Sequence, residues 1–365
     1  MTEDEFRAAG LYEPASPRAR ERLELLEWLD SRGVTLEQMK AADAQRQLAF
    51  LASMLILRPG PYLTQQQLAE RLQISSEVVD EFRVAFGIPP TAPNAEWVND
   101  AEAELFKAVA DGVSLFGGVG MLRLARVLGS SVARIAEAMA TSNHERMRPI
   151  VEAGASELEI AKANLLATET AGAPARIIHG LLPLQLQIAA TRLRERRTNY
   201  TALTTHGCVA FVDLVGSTSL ARKVSVDELT RIVDRFEEIA YEIATNGGGR
   251  VVKFIGDEVM FVTANAASAC EIALTLIERF ADDAAVTPRA GLVEGEMLDR
   301  GGDYYGPVVN LAARLAELAV PREVLTSAGA AATLPEDRLK WESAGRRMIR
   351  GFDEPVALAS VTRAT

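Results

Sequence analysis

Asp213 and Asp257 are the residues of this chain best placed to do chemistry. Each follows a short run of apolar, strand-forming residues. Cys208-Val209-Ala210-Phe211-Val212 precedes Asp213, and Val251-Val252-Lys253-Phe254-Ile255-Gly256 precedes Asp257. A carboxylate at the end of a buried strand costs free energy unless a cation meets it. Two such carboxylates suggest a divalent-metal site, and a metal pair at strand ends suggests phosphate chemistry.

Three segments surround these carboxylates with further polar groups. In Phe211-Val212-Asp213-Leu214-Val215-Gly216-Ser217-Thr218, Gly216 allows a tight turn, and Ser217 or Thr218 can cap a following helix. The free N–H groups of that helix N-terminus suit a polyphosphate. In Lys253-Phe254-Ile255-Gly256-Asp257-Glu258, strand alternation predicts Lys253, Ile255 and Asp257 on one face, with Val252 and Phe254 on the other. A lysine inside an apolar strand needs a polar partner. In Asp303-Tyr304-Tyr305-Gly306-Pro307-Val308-Val309-Asn310-Leu311-Ala312-Ala313-Arg314, Pro307 suits the first turn of a helix, which places Asn310 and Arg314 on one face. Each segment has a plainer reading when taken alone: a helix cap, a hairpin tip, an edge-strand lysine, a polar helix face.

The elements that must position these residues change character near residue 200. Before it, apolar residues recur at helical spacing, as in Leu48, Leu51, Met54 and Leu55. Gly33-Val34-Thr35, Gly60-Pro61 and Pro89-Pro90 punctuate them. A last helix is expected over about 176–197, ending in Arg192, Arg194, Arg196 and Arg197. After residue 206 the expected order is strand 208–213, helix 218–245, strands 250–255 and 259–263 around a Gly256-Asp257-Glu258 turn, and helix 266–281. Strand 288–294, a hairpin at 299–306, helix 307–319 and strands near 322–326 and 346–361 complete it. That order fits a ferredoxin-like βαββαβ plan. The fold class is therefore α+β, with an all-helical domain first.

The chain of 365 residues is long enough for two domains, and its net charge of −11 makes it a poor match for nucleic acid or an acidic membrane face. Its two cysteines, Cys208 and Cys270, lie in apolar segments and read as buried thiols of a reducing compartment. The start lacks the pattern of a signal peptide, and the longest apolar stretch, 177–191, is broken by His179, Pro183, Gln185 and Gln187. A cytoplasmic protein without a transmembrane segment is expected.

Together, the three segments resemble the catalytic domain of the class III nucleotidyl cyclases over about residues 205–360. The resemblance implies that Asp213, Asp257 and the Leu214 carbonyl hold two Mg²⁺ or Mn²⁺ ions per site. Lys253 and Asp303 would read the base, Asn310 would orient the ribose, and Arg314 would stabilise charge on the α-phosphate. Arg350, in Met348-Ile349-Arg350-Gly351-Phe352, stands where the family carries a triphosphate-binding lysine, a departure that changes donor geometry. A lysine donor with an aspartate acceptor matches N1 and the exocyclic amine of adenine and mismatches guanine. Guanylyl cyclases of the family carry Glu and Cys at these two positions, so ATP is the expected substrate, converted to 3′,5′-cyclic AMP and pyrophosphate. The family also implies a homodimer with two composite sites. Each site would take Asp213 and Asp257 from one subunit and Lys253, Asp303, Asn310, Arg314 and Arg350 from the other.

The N-terminal half resembles the regulatory domain of autoinhibited, acid-activated mycobacterial adenylyl cyclases. The similar stretches are 22–29, Gly33-Val34-Thr35 and 154–162. The implied division is a helical regulatory and dimerisation domain at 1–175, a transmitter helix and linker at 176–205, and a catalytic domain at 206–365. His179 and His206, the latter expected in the linker, are candidate pH sensors. The helical half also leaves room for an enclosed lipid. Two other readings stay open. One is a catalytically inactive sensor or scaffold. The other is a DNA-binding regulator with a nucleotide-sensing domain, because residues 64–79 read as a helix-turn-helix. The acidic Glu77, Asp80 and Glu81 of that segment suit phosphate poorly.

Overall fold

The computed structural model describes residues 1–92, 94–170, 172–196, 204–216, 224–283 and 286–364. It divides into compact units at 1–184 and 185–365.

The first unit holds α1 (Glu3–Ala8), α2 (Ala19–Asp30), α3 (Leu36–Ala44), α4 (Leu51–Leu57), β1 (Leu63–Thr64), α5 (Gln65–Leu72) and α6 (Ser76–Ala85). It continues with β2 (Glu96–Val98), α7 (Asp100–Phe116), α8 (Gly118–Glu152), α9 (Glu157–Thr170) and α10 (Gly172–Arg196), which runs past the unit boundary. Capping boxes start α1, α3, α5 and α7 through Thr2, Thr35, Thr64 and Asn99. Among its described residues the regular structure is helical except for the short antiparallel ribbon of β1 and β2, which the helical periodicity did not foretell.

Its buried residues form two small cores. Phe6, Leu25, Leu26, Leu29 and Met39 build one with Ala161 and Leu165 of α9. Leu68, Val79, Phe82, Phe106 and Met121 build the other. Arg22 of α2 pairs with Asp43 of α3 at 3.2 Å and Glu157 of α9 at 3.3 Å, so two of the stretches that resemble the regulatory domain meet. The helix-turn-helix segment is present as α5 and α6. Arg83, the one basic residue of α6, is buried and pairs with Asp80 at 2.8 Å, which leaves the helix an acidic surface.

The second unit contains β3 (Thr204–Val215), α11 (Val226–Asn246), β4 (Arg250–Ile255), β5 (Glu258–Thr263), α12 (Ala266–Arg279), β6 (Thr287–Arg300) and β7 (Asp303–Tyr305). After these come α13 (Pro307–Leu318), β8 (Val324–Ser327), α14 (Ala328–Ala331), β9 (Leu339–Arg347) and β10 (Val356–Arg363). The sheet order is β4-β5-β3-β6-β8-β10-β9, with β7 paired to β6. Its first four strands, with α11 and α12, make the ferredoxin-like unit. The helix expected from 218 is seen from Val226, capped by Ser225; residues 217–223, including Ser217 and Thr218, lie outside the described residues.

Period-two alternation gives the sheet two apolar faces. Ala210 and Val212 face Phe236, Ile239, Ala273 and Ile277 of α11 and α12. Val209, Phe211, Met260 and Val293 face Leu311, Ala312, Leu315 and Ala316 of α13. The second contact is close because β6 carries Gly291: a Cβ there would lie 2.0 Å from the Ala316 nitrogen. Cys208 and Cys270 are buried and free, as expected, and burial pushes the Cys270 thiol up to about 12. Among the described residues no helix is long and apolar enough to cross a membrane.

Candidate active site

Asp213 lies near the C-terminal end of β3, between Glu258 on β5 and Arg289 on β6 in the strand register. Arg289 donates to Asp213 Oδ2 from Nε at 2.9 Å and from Nη2 at 2.6 Å. Its Nη1 donates to the Glu317 and Ala319 carbonyls at 2.6 and 3.2 Å. Those carbonyls are the open C-terminal end of α13, where a cation is favoured. Arg289 therefore ties the β3 carboxylate to the helix that carries Asn310 and Arg314.

Asp257 sits in the two-residue turn between β4 and β5, where Gly256 takes φ +64°. The Asp257 carbonyl accepts from the Leu214 N–H at 3.3 Å, which brings this turn against the end of β3. Carboxylates crowd here. Burial first, then the charges of Asp213, Glu317 and Asp257, push Glu258 up to about 7, and Arg289 only partly opposes them. Among the described residues no group of three or more His, Cys, Asp or Glu side chains is placed to hold a metal ion. The oxygen donors that could serve one are those expected from the sequence, Asp213, Asp257 and the Leu214 carbonyl. A hard cation that keeps water and takes phosphate oxygens fits such a set, and the excess negative charge favours one.

Lys253 and Asp303 come together with Nζ and Oδ2 at 2.5 Å. Asp303 Oδ1 also accepts the Tyr304 N–H at 2.8 Å. Arg250 steadies this corner, donating to the Gly302 carbonyl at 2.9 Å and lying 5.2 Å over the Tyr304 ring. The facing expected for β4 needs correction. The register against β5 shifts between Val251 and Lys253, so Lys253 pairs with Met260 and Phe254 with Val259. The extra residue of this bulge puts Val252 and Lys253 together on the α13 side, and Phe254 on the other.

Pro307 opens α13 as expected, and Asn310 and Arg314 follow at helical spacing. Asn310 is exposed, while Arg314 is held by Glu317 at 2.7 Å. Arg350 lies exposed in the β9–β10 connection, between Ile349 and Phe352, which pack into the core on the α13 side of the sheet. His179 is exposed on α10. His206 belongs to β3 rather than to a linker, because β3 starts at Thr204; it faces Glu294 at 3.9 Å, at the far end of the strand from Asp213.

Three residues of this site escaped the sequence reading: Arg289, Glu258 and Glu317. Arg289 carried the same signal as Lys253, a lone cation in an apolar strand (Thr287-Pro288-Arg289-Ala290-Gly291). Glu317 carried a weaker one, its place three residues after Arg314 in the expected helix, where opposite charges meet.

The family described as adenylate cyclase regulatory domain matches residues 5–189, and the adenylate and guanylate cyclase catalytic domain matches residues 200–359. The chain belongs to the class III adenylate cyclase family. An uncharacterised protein of Mycobacterium tuberculosis is 31% identical to the cyclase over 97% of this chain and 92% of its own length. A pH-sensitive adenylate cyclase of Mycobacterium tuberculosis is 29% identical over 94% of this chain and 88% of its own. An adenylate cyclase of Glutamicibacter nicotianae is 44% identical over 40% of this chain and 37% of its own. A solved adenylyl cyclase from P. aeruginosa aligns with 44% of this chain and 97% of its own, at 23% identity and a TM-score of 0.40.

Proposed function

We propose that this cyclase converts ATP to 3′,5′-cyclic AMP and pyrophosphate as a homodimer with two composite sites. The observation that carries the choice of base is the contact between Lys253 and Asp303. Fifty residues apart in sequence, they form a donor–acceptor pair at 2.5 Å. Adenine inserted there takes a donor at N1 and gives its amine to the carboxylate; guanine leaves both groups mismatched.

Asp213 and Asp257, with the Leu214 carbonyl, would hold the divalent metal ions. Bound there, the ions supply the charge that acidifies the ribose 3′-hydroxyl and neutralises the phosphates. Asp213, now paired with Arg289, would give up that partner to hold the ions, and Arg289 would be available to a phosphate oxygen. Asn310 orients the ribose, and Arg314 meets the charge that develops on the α-phosphate as the 3′-oxygen attacks and pyrophosphate leaves. Arg350 adds a cation for the triphosphate. The two halves of a site come from different subunits, as is typical of the family.

The helical unit restrains the catalytic unit at neutral pH and releases it in acid. This reading is supported by the match to the adenylate cyclase regulatory domain and by likeness to a pH-sensitive cyclase. The transmitting element is α10, which the catalytic unit follows directly in the chain.

The test is nucleotide cyclisation with Mn²⁺ or Mg²⁺ between about pH 5.5 and 8, comparing the full chain with residues 200–365. Cyclic AMP from ATP, lost in Asp213→Ala, is expected; its absence in every condition overturns the catalytic reading and favours the sensor or scaffold. A pH profile identical for the two chains overturns the autoinhibition alone.

A further inference from the structure

Glu317 lies on the last turn of α13, three residues after Arg314. Its Oε1 and Oε2 each accept from Arg314 Nη1 at 2.7 Å. Its backbone carbonyl accepts from Arg289, the guanidinium that holds Asp213. Its charge also reaches Glu258 beside Asp257. One residue therefore touches both Arg314, through its side chain, and Arg289, through its backbone.

We propose that Glu317 is a positioning residue that keeps Arg314 on its own chain between turnovers and yields it to the α-phosphate during each one. The proposal rests on the cyclase reading and on the role given there to Arg314. Both Glu317 oxygens lie 2.7 Å from Arg314 Nη1, so the carboxylate sits against this nitrogen and offsets the guanidinium charge there. A phosphate oxygen that approaches this side of the guanidinium therefore competes with the Glu317 carboxylate for it. The side chains are 40% and 59% exposed, so the pair is a weak, salt-sensitive one that a desolvated phosphate can displace.

The consequence falls on kcat more than on KM. Charge on the α-phosphate grows as the 3′-oxygen attacks, so the contact that replaces Glu317 is made chiefly in the transition state. Removing the competing carboxylate lowers the barrier by the strength of an exposed ion pair, an acceleration of about two- to fivefold. The isosteric Glu317→Gln is suited to this. The substituted side chain is exposed, and the bond to Arg289 uses the Glu317 backbone, which the substitution keeps.

The experiment measures kcat and KM for Mn²⁺-ATP with the full chain in acid, at about 50 and about 300 mM NaCl. Glu317→Gln is expected to raise kcat about two- to fivefold at low salt, with KM within about twofold. The advantage shrinks at high salt, because screening weakens the ion pair of the wild-type chain only. A purely structural role for Glu317 has no reason to produce that salt dependence. If the wild-type chain is active and Glu317→Gln has an equal or lower kcat at low salt, the role of Glu317 is refuted and the cyclase reading stands. If the wild-type chain makes no cyclic AMP, the reading beneath the proposal falls with it.

Discussion

Gly291→Ala tests whether the packing of α13 on the sheet sets the catalytic geometry. A Cβ built at Gly291 lies 2.0 Å from the Ala316 nitrogen, 2.5 Å from the Ala312 carbonyl oxygen and 2.5 Å from the Leu315 carbonyl carbon. All three are backbone atoms of the helix, so no side chain can rotate away. Ordinary contact requires α13 to move outward by about 1 Å or more, against its buried Leu311, Ala312, Leu315 and Ala316. Overpacking of this kind costs about 1–3 kcal/mol, or about 3–10 °C in Tm for a unit of this size. The same helix carries Asn310 and Arg314, and its end receives Arg289 from β6. A 1 Å displacement of such groups can lower turnover by about 100-fold. Thermal unfolding by circular dichroism and cyclic AMP production, on the full chain, read the two effects. A Tm within about 1 °C of wild type together with an undiminished kcat would show that α13 is not seated on β6 through Gly291.

Two other outcomes follow from the site. Asp213→Ala and Arg314→Ala should each be inactive alone, and an equal mixture should recover about a quarter of wild-type activity: half the dimers are mixed, and each holds one whole site. Recovery no greater than either variant alone, with both folded and exchanging subunits, counts against composite sites. Glu258 is raised from 4.5 to about 7 in the fold, so the native chain binds a proton that the unfolded chain releases at lower pH. Its contribution is present in full below the unfolded value and is lost as pH rises through about 7. In metal-free buffer the wild-type chain should therefore lose about 1–2 kcal/mol relative to Glu258→Gln between about pH 5 and 8, after allowance for solvent screening. Parallel stability profiles in urea unfolding would refute the crowding inferred around Asp213.

Much of the catalytic unit was legible because its elements alternate in ways that local chemistry controls. The Gly256-Asp257 turn, β5 and α12 start where apolar periodicity and turn residues place them, and Pro307 opens α13. The departures come from non-local pairing. His206 reads as linker by composition, yet β3 extends back to Thr204 because β6 is long enough to pair with it there. The bulge before Lys253 reverses the facing of Val252, and no local residue announces it. The ribbon of β1 and β2 is likewise made by segments some thirty residues apart, Leu63 with Val98.

By itself the sequence determined the family and the candidate residues: Asp213, Lys253, Asp257, Asp303, Asn310 and Arg314, at spacings tied to strand and helix periods. Those are local properties, written in single side chains and their neighbours. Only the tertiary structure decided what each charge does within one chain. It closes Lys253 on Asp303 and Asp213 on Arg289. Such pairings depend on strand register and on the seat of α13 over Gly291. Register is a choice among pairings that differ by one residue and are settled by the packing of whole faces, which no single segment encodes.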